Sequence, residues 1–240
     1  MSKHAPPTAP TIRLLTANLW NGGADPIAFA DQLEALQVDV VCVQELAAPQ
    51  AAAISRVLPH GALEPGAHRG DYDGMGIAAR RPIETRRIAL PKRDARVAEL
   101  RPEEWPELGR ALELINLHVQ APHVFPQWSA FALRRAQLAA LWPHVEAAPE
   151  RPRVVCGDFN ATPLWPVYRA LAARFRDLAL AHAAARSTRP SPTWGPWAGA
   201  PRVLRIDHVL GAGVLAANVQ LVHVRGSDHS AVLVDLASEA

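Results

Sequence analysis

Polar and ionisable side chains follow several apolar, strand-like segments of this sequence, and these are the residues that could carry chemistry. The set comprises Asn18, Gln44, Glu45, His118, Asp158, Asn160, Asp207, Asp228 and His229. Because strand ends in an α/β scaffold carry its functional loops, we expect the set to form one site. The oxygen-rich character of the set and the absence of a cysteine from it favour Mg²⁺ or Mn²⁺ over zinc.

The segments between these residues predict the elements that must position them. Predicted strands cover 12–18, 38–43, 76–79, 83–90, 111–117, 153–156, 204–210, 214–224 and 231–236. Predicted helices cover 26–36, 49–57, 129–142 and 166–173, with Asp25 capping the first and Pro26 opening it. Interleaved strands and helices with some hairpin-length gaps favour an α/β domain with mixed sheets over 11–240, after a flexible tail at 1–10.

The composition is that of a folded chain with a sizeable core. Of the 240 residues, 49% are hydrophobic and 20% charged, too few charges for a disordered protein. A net charge of +2 and a pI near 8.8 suit an anionic substrate without requiring nucleic acid. The densest basic stretch, 80–87, is interpreted as solvated surface in preference to a phosphate-backbone contact.

Cysteine usage and the first residues bear on location. Cys42 and Cys156 each follow two valines, so we interpret both as apolar core residues and expect neither a disulfide nor a zinc site. The first ten residues are rich in proline and lack an apolar run. We therefore expect no signal peptide, no integral membrane association and a cytoplasmic location.

Seven short motifs resemble, in order and spacing, the endonuclease/exonuclease/phosphatase superfamily, the fold class of DNase I, apurinic endonucleases, neutral sphingomyelinases and inositol polyphosphate 5-phosphatases. They contain Asn18, Gln44-Glu45, Gly74 to Arg80, Asn116 to His118, Gly157 to Pro163, Arg205 to His208, and Ser227 to His229. A group of bacterial members is most similar, since it shares Gly-Asp-Phe-Asn-Ala-Thr-Pro and a later Pro-Thr-Trp before Ile-Asp-His-Val-Leu.

This resemblance implies a fold and a reaction class. The fold would be a four-layer α/β/β/α sandwich of two packed mixed sheets, with the site at their open end. The activity would be divalent-metal-dependent hydrolysis of a phosphodiester by in-line attack of activated water. Such a site must supply a cation, a base for water and donors for the developing charge.

The resemblance also implies the metal ligands. Mg²⁺, with Mn²⁺ as the other candidate, typically takes one or two carboxylates from a protein and keeps several waters. Glu45 is the first expected ligand, with Asn18 close by and Asp228 as a further candidate.

The remaining roles belong to the reaction itself. Asp158 would orient or deprotonate the attacking water, and Asn160 would hold the phosphate or that water. His229 would contact a phosphoryl oxygen or share the role of base, with Asp207 fixing its tautomer. His118 would stabilise the transition-state charge or the leaving oxygen.

Three residues have competing interpretations. Arg80 lies at the end of a strand in one of the motifs, and it is interpreted either as a substrate-binding residue or as a solvated arginine. Trp194 could stack on a base or sugar, although packing of its proline-rich loop is the favoured interpretation. His208 adjoins Asp207, but successive strand residues face opposite sides, so a structural role is favoured.

Other activities stay open at this point. The same residues serve a phosphomonoesterase acting on a sugar, inositol or lipid phosphate, or a non-catalytic protein that binds phosphate ligands. A different ester or a glycoside is disfavoured, since the chain has neither a Gly-x-Ser-x-Gly elbow nor a His-Glu-x-x-His motif. The substrate, with nucleic acid among the candidates, would be chosen by the loops at 66–74, 120–128 and 186–202.

Overall fold

The computed structural model describes residues 11–67, 72–123 and 127–239. The predicted tail at 1–10 lies outside these residues, as do 68–71 and 124–126, which are parts of two of the three predicted substrate loops. The described chain contains no helix that is both long and apolar enough to cross a membrane.

The described residues form twelve strands and five α-helices. The strands are β1 (Ile12–Asn18), β2 (Val40–Gln44), β3 (His60–Glu64), β4 (Met75–Ala79), β5 (Glu84–Ile88), β6 (Ala95–Leu100), β7 (Leu112–His118), β8 (Arg153–Asp158), β9 (Arg176–Asp177), β10 (Asp207–Ala212), β11 (Val214–His223) and β12 (Ser230–Ser238). The helices are α1 (Pro26–Ala35), α2 (Ala48–Val57), α3 (Gln127–Glu146), α4 (Pro166–Ala172) and α5 (Leu178–Ala185).

The strands form two mixed sheets of six strands each. The first sheet has the order β11-β12-β1-β2-β4-β3 and the second β5-β6-β7-β8-β10-β9. Each sheet has a parallel pair near its centre, β1 with β2 and β7 with β8, flanked by antiparallel neighbours. Parallel strands present their carboxyl ends at the same edge, so both sheets bring two strand ends to one place.

The two sheets pack face to face between helices, which confirms the predicted four-layer α/β/β/α sandwich. Successive strand residues face opposite sides, so Leu14 packs between the sheets while Leu15 packs under α1 and α2. A third apolar cluster joins the second sheet to α3 and α4. Cys42 and Cys156 are free and lie in the core between the sheets, as their valine-rich surroundings predict.

Several elements differ from their predicted extent. Strands β3, β6 and β9 and helix α5 were not predicted, and β10 begins at Asp207 because Leu204 makes only an isolated bridge to Trp194. Helix α1 begins as predicted, since the Asp25 side chain accepts hydrogen bonds from the amides of Ile27 and Ala28.

Candidate active site at the open end of the sandwich

A buried amide pair connects the two sheets just below the site. Asn116 of β7 donates from Nδ2 to the carbonyl oxygens of Val43 at 2.9 Å and Gly76 at 3.0 Å, both in the first sheet. Its Oδ1 accepts a hydrogen bond from Gln44 Nε2 at 2.6 Å. Since Gln44 precedes Glu45 and Asn116 lies two residues before His118, this pair fixes the alignment of the strand ends that carry the site.

Asn18 links carboxylates that belong to different sheets. At the end of β1 its Nδ2 donates to Glu45 Oε1 at 3.0 Å and to Asp158 Oδ2 at 3.1 Å. The Trp20 amide donates to Asn18 Oδ1 at 2.9 Å, which fixes the orientation of the side chain. Glu45 has a φ of 51°, so the chain turns directly after β2 and aims this carboxylate at β8.

Asp158 is held by its own turn. The preceding Gly157 has a φ of 125°, and a Cβ there would lie 2.0 Å from the Leu117 carbonyl oxygen, so only glycine fits. Asp158 Oδ1 accepts the Asn160 amide at 2.7 Å, and Asn160 Nδ2 donates to Asp158 Oδ2 at 3.2 Å and to the Val119 carbonyl at 3.0 Å. These contacts leave the carboxylate buried and fixed in orientation.

Burial raises the pKa of both central carboxyl groups. For Asp158, burial and the negative charge of Asp207 raise the pKa to about 7. Burial also raises the pKa of Glu45, against the hydrogen bond from Asn18. A buried carboxyl group with a pKa near neutrality can exchange a proton at physiological pH, which is what a general base requires.

His229 is paired with Asp207. Its Nδ1 lies 2.9 Å from Asp207 Oδ2, and its Nε2 points toward Asp158, 3.9 Å from Oδ2. Burial would lower the pKa of His229, but the charge and hydrogen bond of Asp207 outweigh it and raise that pKa to about 10. The shift favours the charged ring, whose Nδ1–H faces Asp207 and whose Nε2 is left without a hydrogen bond to the described carboxylates. Ser227 Oγ positions the loop by accepting the His229 amide and donating to the Asn18 carbonyl.

The pKa of His118 is shifted in the direction opposite to that of His229. It lies opposite Asp158 in the parallel register of β7 and β8, and its Nε2 is 3.7 Å from Glu45 Oε1 and 3.8 Å from Asp158 Oδ2. Burial and the positive charges of Arg93 and His229 lower the pKa of His118 well below its ordinary value. The site thus contains one charged and one neutral imidazole.

The donor set fits a hard divalent cation. Ligand atoms of Glu45, His118 and Asp158 lie within 4.8 Å of one another. Glu45 Oε2 and Asp228 Oδ1 are buried and, among residues 11–67, 72–123 and 127–239, have no hydrogen-bond partner. Buried carboxylate oxygens without a donor carry a large desolvation cost that a cation relieves. Asp228 Oδ2 is already occupied, since Trp194 Nε1 donates to it at 3.0 Å.

The structure brings most of the predicted residues to one cleft of about 370 Å³. Glu45, His118, Asp158, Asn160, Trp194, Asp228 and His229 line this cleft, and Asn18 and Asp207 contact the lining residues from behind. Half-buried Trp194 forms isolated bridges with Leu204 and His229 and also lines the cleft, and stacking on a base or sugar stays a prediction.

Arg80 is not brought to the cleft, which corrects its assignment as a substrate-binding candidate. It follows β4 at the end where Ala79 pairs with Val40, whereas the site lies at the other end, where Met75 pairs with Gln44. The Arg80 Nε donates to the Val38 carbonyl at 2.7 Å, so this arginine secures the start of β2.

His208 faces away from the cleft, as strand alternation predicts. Its Nε2 lies 2.8 Å from the Ala161 carbonyl, and its ring packs between Phe159 and Tyr168 at centroid distances of 5.1 and 4.7 Å. Burial lowers the pKa of His208 to about 4, which keeps the ring neutral.

Two groups of residues at the site were missed by sequence reasoning. Arg134 of α3 is buried, and its Nη1 donates to the carbonyl oxygens of Gln120 at 2.6 Å and Asn160 at 3.0 Å, joining the loops that follow β7 and β8. The sequence feature that could have identified Arg134 is the presence of an arginine within the apolar pattern of a helix. Lys92 and Arg93 line the cleft from the loop between β5 and β6, and no motif marked them.

The comparisons with known proteins agree with this geometry. The model of the Endonuclease/Exonuclease/phosphatase family matches residues 15–229, so the chain belongs to that family. No curated protein sequence matches the chain. Since members of that family are hydrolases of phosphate esters, the chain is assigned to that class of enzyme.

Solved structures share the fold at low sequence identity. A functionally unknown conserved protein from Enterococcus faecalis V583 is 15% identical with a TM-score of 0.74, over 95% of this chain and all of its own. The human Nocturnin catalytic domain with bound sulfate is 21% identical with a TM-score of 0.69, over 95% of both chains. Sphingomyelinase C from Streptomyces griseocarneus is 18% identical with a TM-score of 0.65, over 94% of this chain and 99% of its own.

Proposed function

We propose that this protein is an Mg²⁺- or Mn²⁺-dependent phosphodiesterase that uses a water molecule as the nucleophile. The supporting observation is that Glu45, Asp158 and His229 converge from three strand ends on one cleft, with Glu45 Oε2 buried and unpaired among the described residues. The solved neighbours include a sphingomyelinase, and family membership makes a phosphate ester the expected substrate.

Glu45 is the main cation ligand in this proposal, and Asp228 offers a second oxygen. Asn18 keeps one lone pair on its amide oxygen, but its Nδ2 already orients Glu45 and Asp158, so we assign it chiefly to positioning. When bound, the cation would polarise the phosphoryl group and neutralise part of the developing charge.

Asp158 is the base in this proposal. Its carboxylate, held by Asn18 and Asn160, takes a proton from water as the water oxygen attacks phosphorus opposite the leaving oxygen. We assign His229 as a donor and not as the base, because the charge and hydrogen bond of Asp207 raise its pKa to about 10. It donates instead from Nε2 to a phosphoryl oxygen, while Asp207 holds Nδ1–H. Neutral His118 donates to the leaving oxygen or its neighbour.

The test is hydrolysis of bis(p-nitrophenyl) phosphate, with p-nitrophenyl phosphate as the monoester comparison. EDTA should abolish release of nitrophenol from the diester, and Mg²⁺ or Mn²⁺ should restore it. Asp158→Asn should lower kcat by about 10²- to 10⁴-fold, the usual contribution of a general base. Asp31→Asn, an exposed aspartate on α1, serves as the matched control and should behave as wild type. Turnover that persists in EDTA, or an Asp158→Asn variant with wild-type kcat, would contradict the proposal.

A further inference from the structure

The guanidinium of Arg93 is buried at the cleft, and one of its nitrogens has no hydrogen-bond partner among the described residues. Only 8% of its side chain is exposed, and its Nε pairs with Asp73. Its Nη1 is buried and has no hydrogen-bond partner within the part of the chain that the structure describes. A guanidinium is a planar fork of donors that matches phosphate oxygens, and leaving one of its nitrogens unpaired is costly. The free donor therefore points to an anionic ligand.

The loop that carries Arg93 is fixed before any ligand binds. The Arg93 amide donates to the Pro91 carbonyl at 3.0 Å, and the same carbonyl accepts Gln137 Nε2 from α3 at 3.2 Å. Gln137 Oε1 accepts the Gln120 amide at 3.0 Å, which connects the loop to the segment after His118. Donors held by such contacts bind without a large ordering cost.

Lys92 adds a second cation at the same wall. It lines the cleft, is exposed, and has a φ of 70°, a conformation that a non-glycine residue adopts at a cost. Trp20 and Tyr72, exposed by 39% and 47%, line the same cleft. Paired cations beside exposed aromatic rings suit a ligand that combines phosphate with a flat ring.

Among the described residues Arg93 pairs through its side chain with Asp73, and not with Glu45, Asp158 or His229. Its charge is close enough to act on His118 and Glu45, yet of the described carboxylates only Asp73 lies within the 4.0 Å of an ion pair. The scissile phosphate belongs between Glu45, Asp158 and His229. With that phosphate held by these three residues, the unpaired Arg93 Nη1 is left for an oxygen of a different group of the same molecule.

We propose that Lys92 and Arg93 form a subsite for a second phosphate of the substrate, one sugar away from the scissile phosphate. This inference rests on the proposed phosphodiesterase function and specifies its substrate class: diesters that carry a further phosphate. It assigns to the loop between β5 and β6 the discrimination between singly and doubly phosphorylated substrates.

The test compares two diesters that differ by one phosphate: thymidine 5′-(p-nitrophenyl phosphate) and the same compound with a 3′-phosphate. Wild type should prefer the second in kcat/KM by roughly 10- to 100-fold, as charge-assisted hydrogen bonds provide. Arg93→Gln should reduce this ratio to about one, and Arg93→Lys should keep part of it because the charge remains. The control is Arg101→Gln at the far end of β6, an exposed arginine that also pairs with carboxylates, and it should keep the wild-type ratio.

Two results would overturn the subsite. In the first, wild type hydrolyses both diesters with the same kcat/KM. In the second, Arg93→Gln lowers kcat/KM for both diesters and leaves their ratio unchanged, which would mean that Arg93 acts at the scissile phosphate or in folding. If Arg93→Gln does not fold, Lys92→Gln takes its place and should lower the ratio by about half an order of magnitude or more.

Calorimetry separates this inference from the proposed function. Thymidine 3′,5′-bisphosphate should bind wild type more tightly than thymidine 5′-monophosphate, and Arg93→Gln should remove the difference. If neither diester is hydrolysed but this difference is seen, the phosphodiesterase proposal fails and the subsite stands. Equal binding of the two nucleotides by wild type would refute the subsite whatever the turnover.

Discussion

Replacing Asp207 with asparagine isolates the interaction that keeps His229 charged. The two side chains, exposed by only 2% and 6%, meet at 2.9 Å. Three carboxylates, Asp207 first, raise the pKa of His229 from 6.5 to about 10 against the effect of burial. A rise of that size corresponds to roughly 5 kcal/mol of preference for the charged ring. Since Asp207 is the partner at bonding distance, we assign about 3 kcal/mol of folding free energy to this pair.

The destabilisation caused by Asp207→Asn should depend on pH, because the pKa of His229 is raised on folding. Because the pKa of His229 is higher in the folded protein than the unfolded value, the stabilisation is fully present below about pH 6.5 and is lost as the pH rises toward 10. Urea unfolding should therefore show Asp207→Asn to be less stable than wild type by about 3 kcal/mol near pH 6, and by less than about 1 kcal/mol near pH 10.

Asp235→Asn is the matched control for this measurement. Asp235 pairs with Arg13 at 2.8 Å, and arginine stays charged across the whole range, so the cost of this change should not vary between pH 6 and pH 10. A cost of Asp207→Asn that is equally independent of pH would refute the reasoning. So would an NMR titration in which His229 keeps its wild-type pKa in the variant.

Two further predictions concern the backbone and the loops of the site. Gly157→Ala should lower the free energy of unfolding in urea by at least about 3 kcal/mol, because its Cβ would lie 2.0 Å from a carbonyl oxygen. Gly199 is the control, since its φ is 82° and nothing lies within 4 Å of an added Cβ, so Gly199→Ala should lower the free energy of unfolding by only about 1 kcal/mol. If both substitutions lower it by the same amount, the clash at Gly157 is absent. Arg134→Met should lower kcat about 10-fold or more with a smaller change in KM, since two carbonyl oxygens at the site lose their donor. Its exposed neighbour Arg135→Met should not affect kcat, and a wild-type kcat in Arg134→Met would remove this arginine from the positioning of the site.

The convergence of the site was predictable from the sequence because its residues end apolar strands. Asn18, Glu45, His118 and Asp158 each terminate or directly follow a central strand, so an α/β interpretation places them at one edge. The same logic failed for Arg80, because β4 runs antiparallel to β2 and its carboxyl end lies at the other edge. Strand direction within a mixed sheet is set by tertiary pairing and is not contained in a local pattern.

The missed elements lack a clear local pattern. Strand β6 includes Arg96 and Glu99, whose charges obscure the alternation, and Arg96 is accommodated by an ion pair with Glu64 at 2.6 Å from a different sheet. Helix α5 did carry a usable signal, since Asp177 caps it by accepting the Leu180 amide at 2.8 Å. For Arg93 the decisive fact is an unpaired buried nitrogen, which exists only once the chain has folded.

The pairing of the first strand with the last also determines when the protein can acquire activity. Strand β12 lies between β11 and β1, with Ile12 opposite Leu236, and the turn before β12 delivers His229. A chain in which residues 230–238 have not yet paired has an incomplete first sheet, and the turn that carries His229 is not anchored beside Asp207. Closing a contact across more than two hundred residues is slow compared with forming local hairpins. Catalytic competence should therefore depend on the pairing of β12 with β1, a late event of folding.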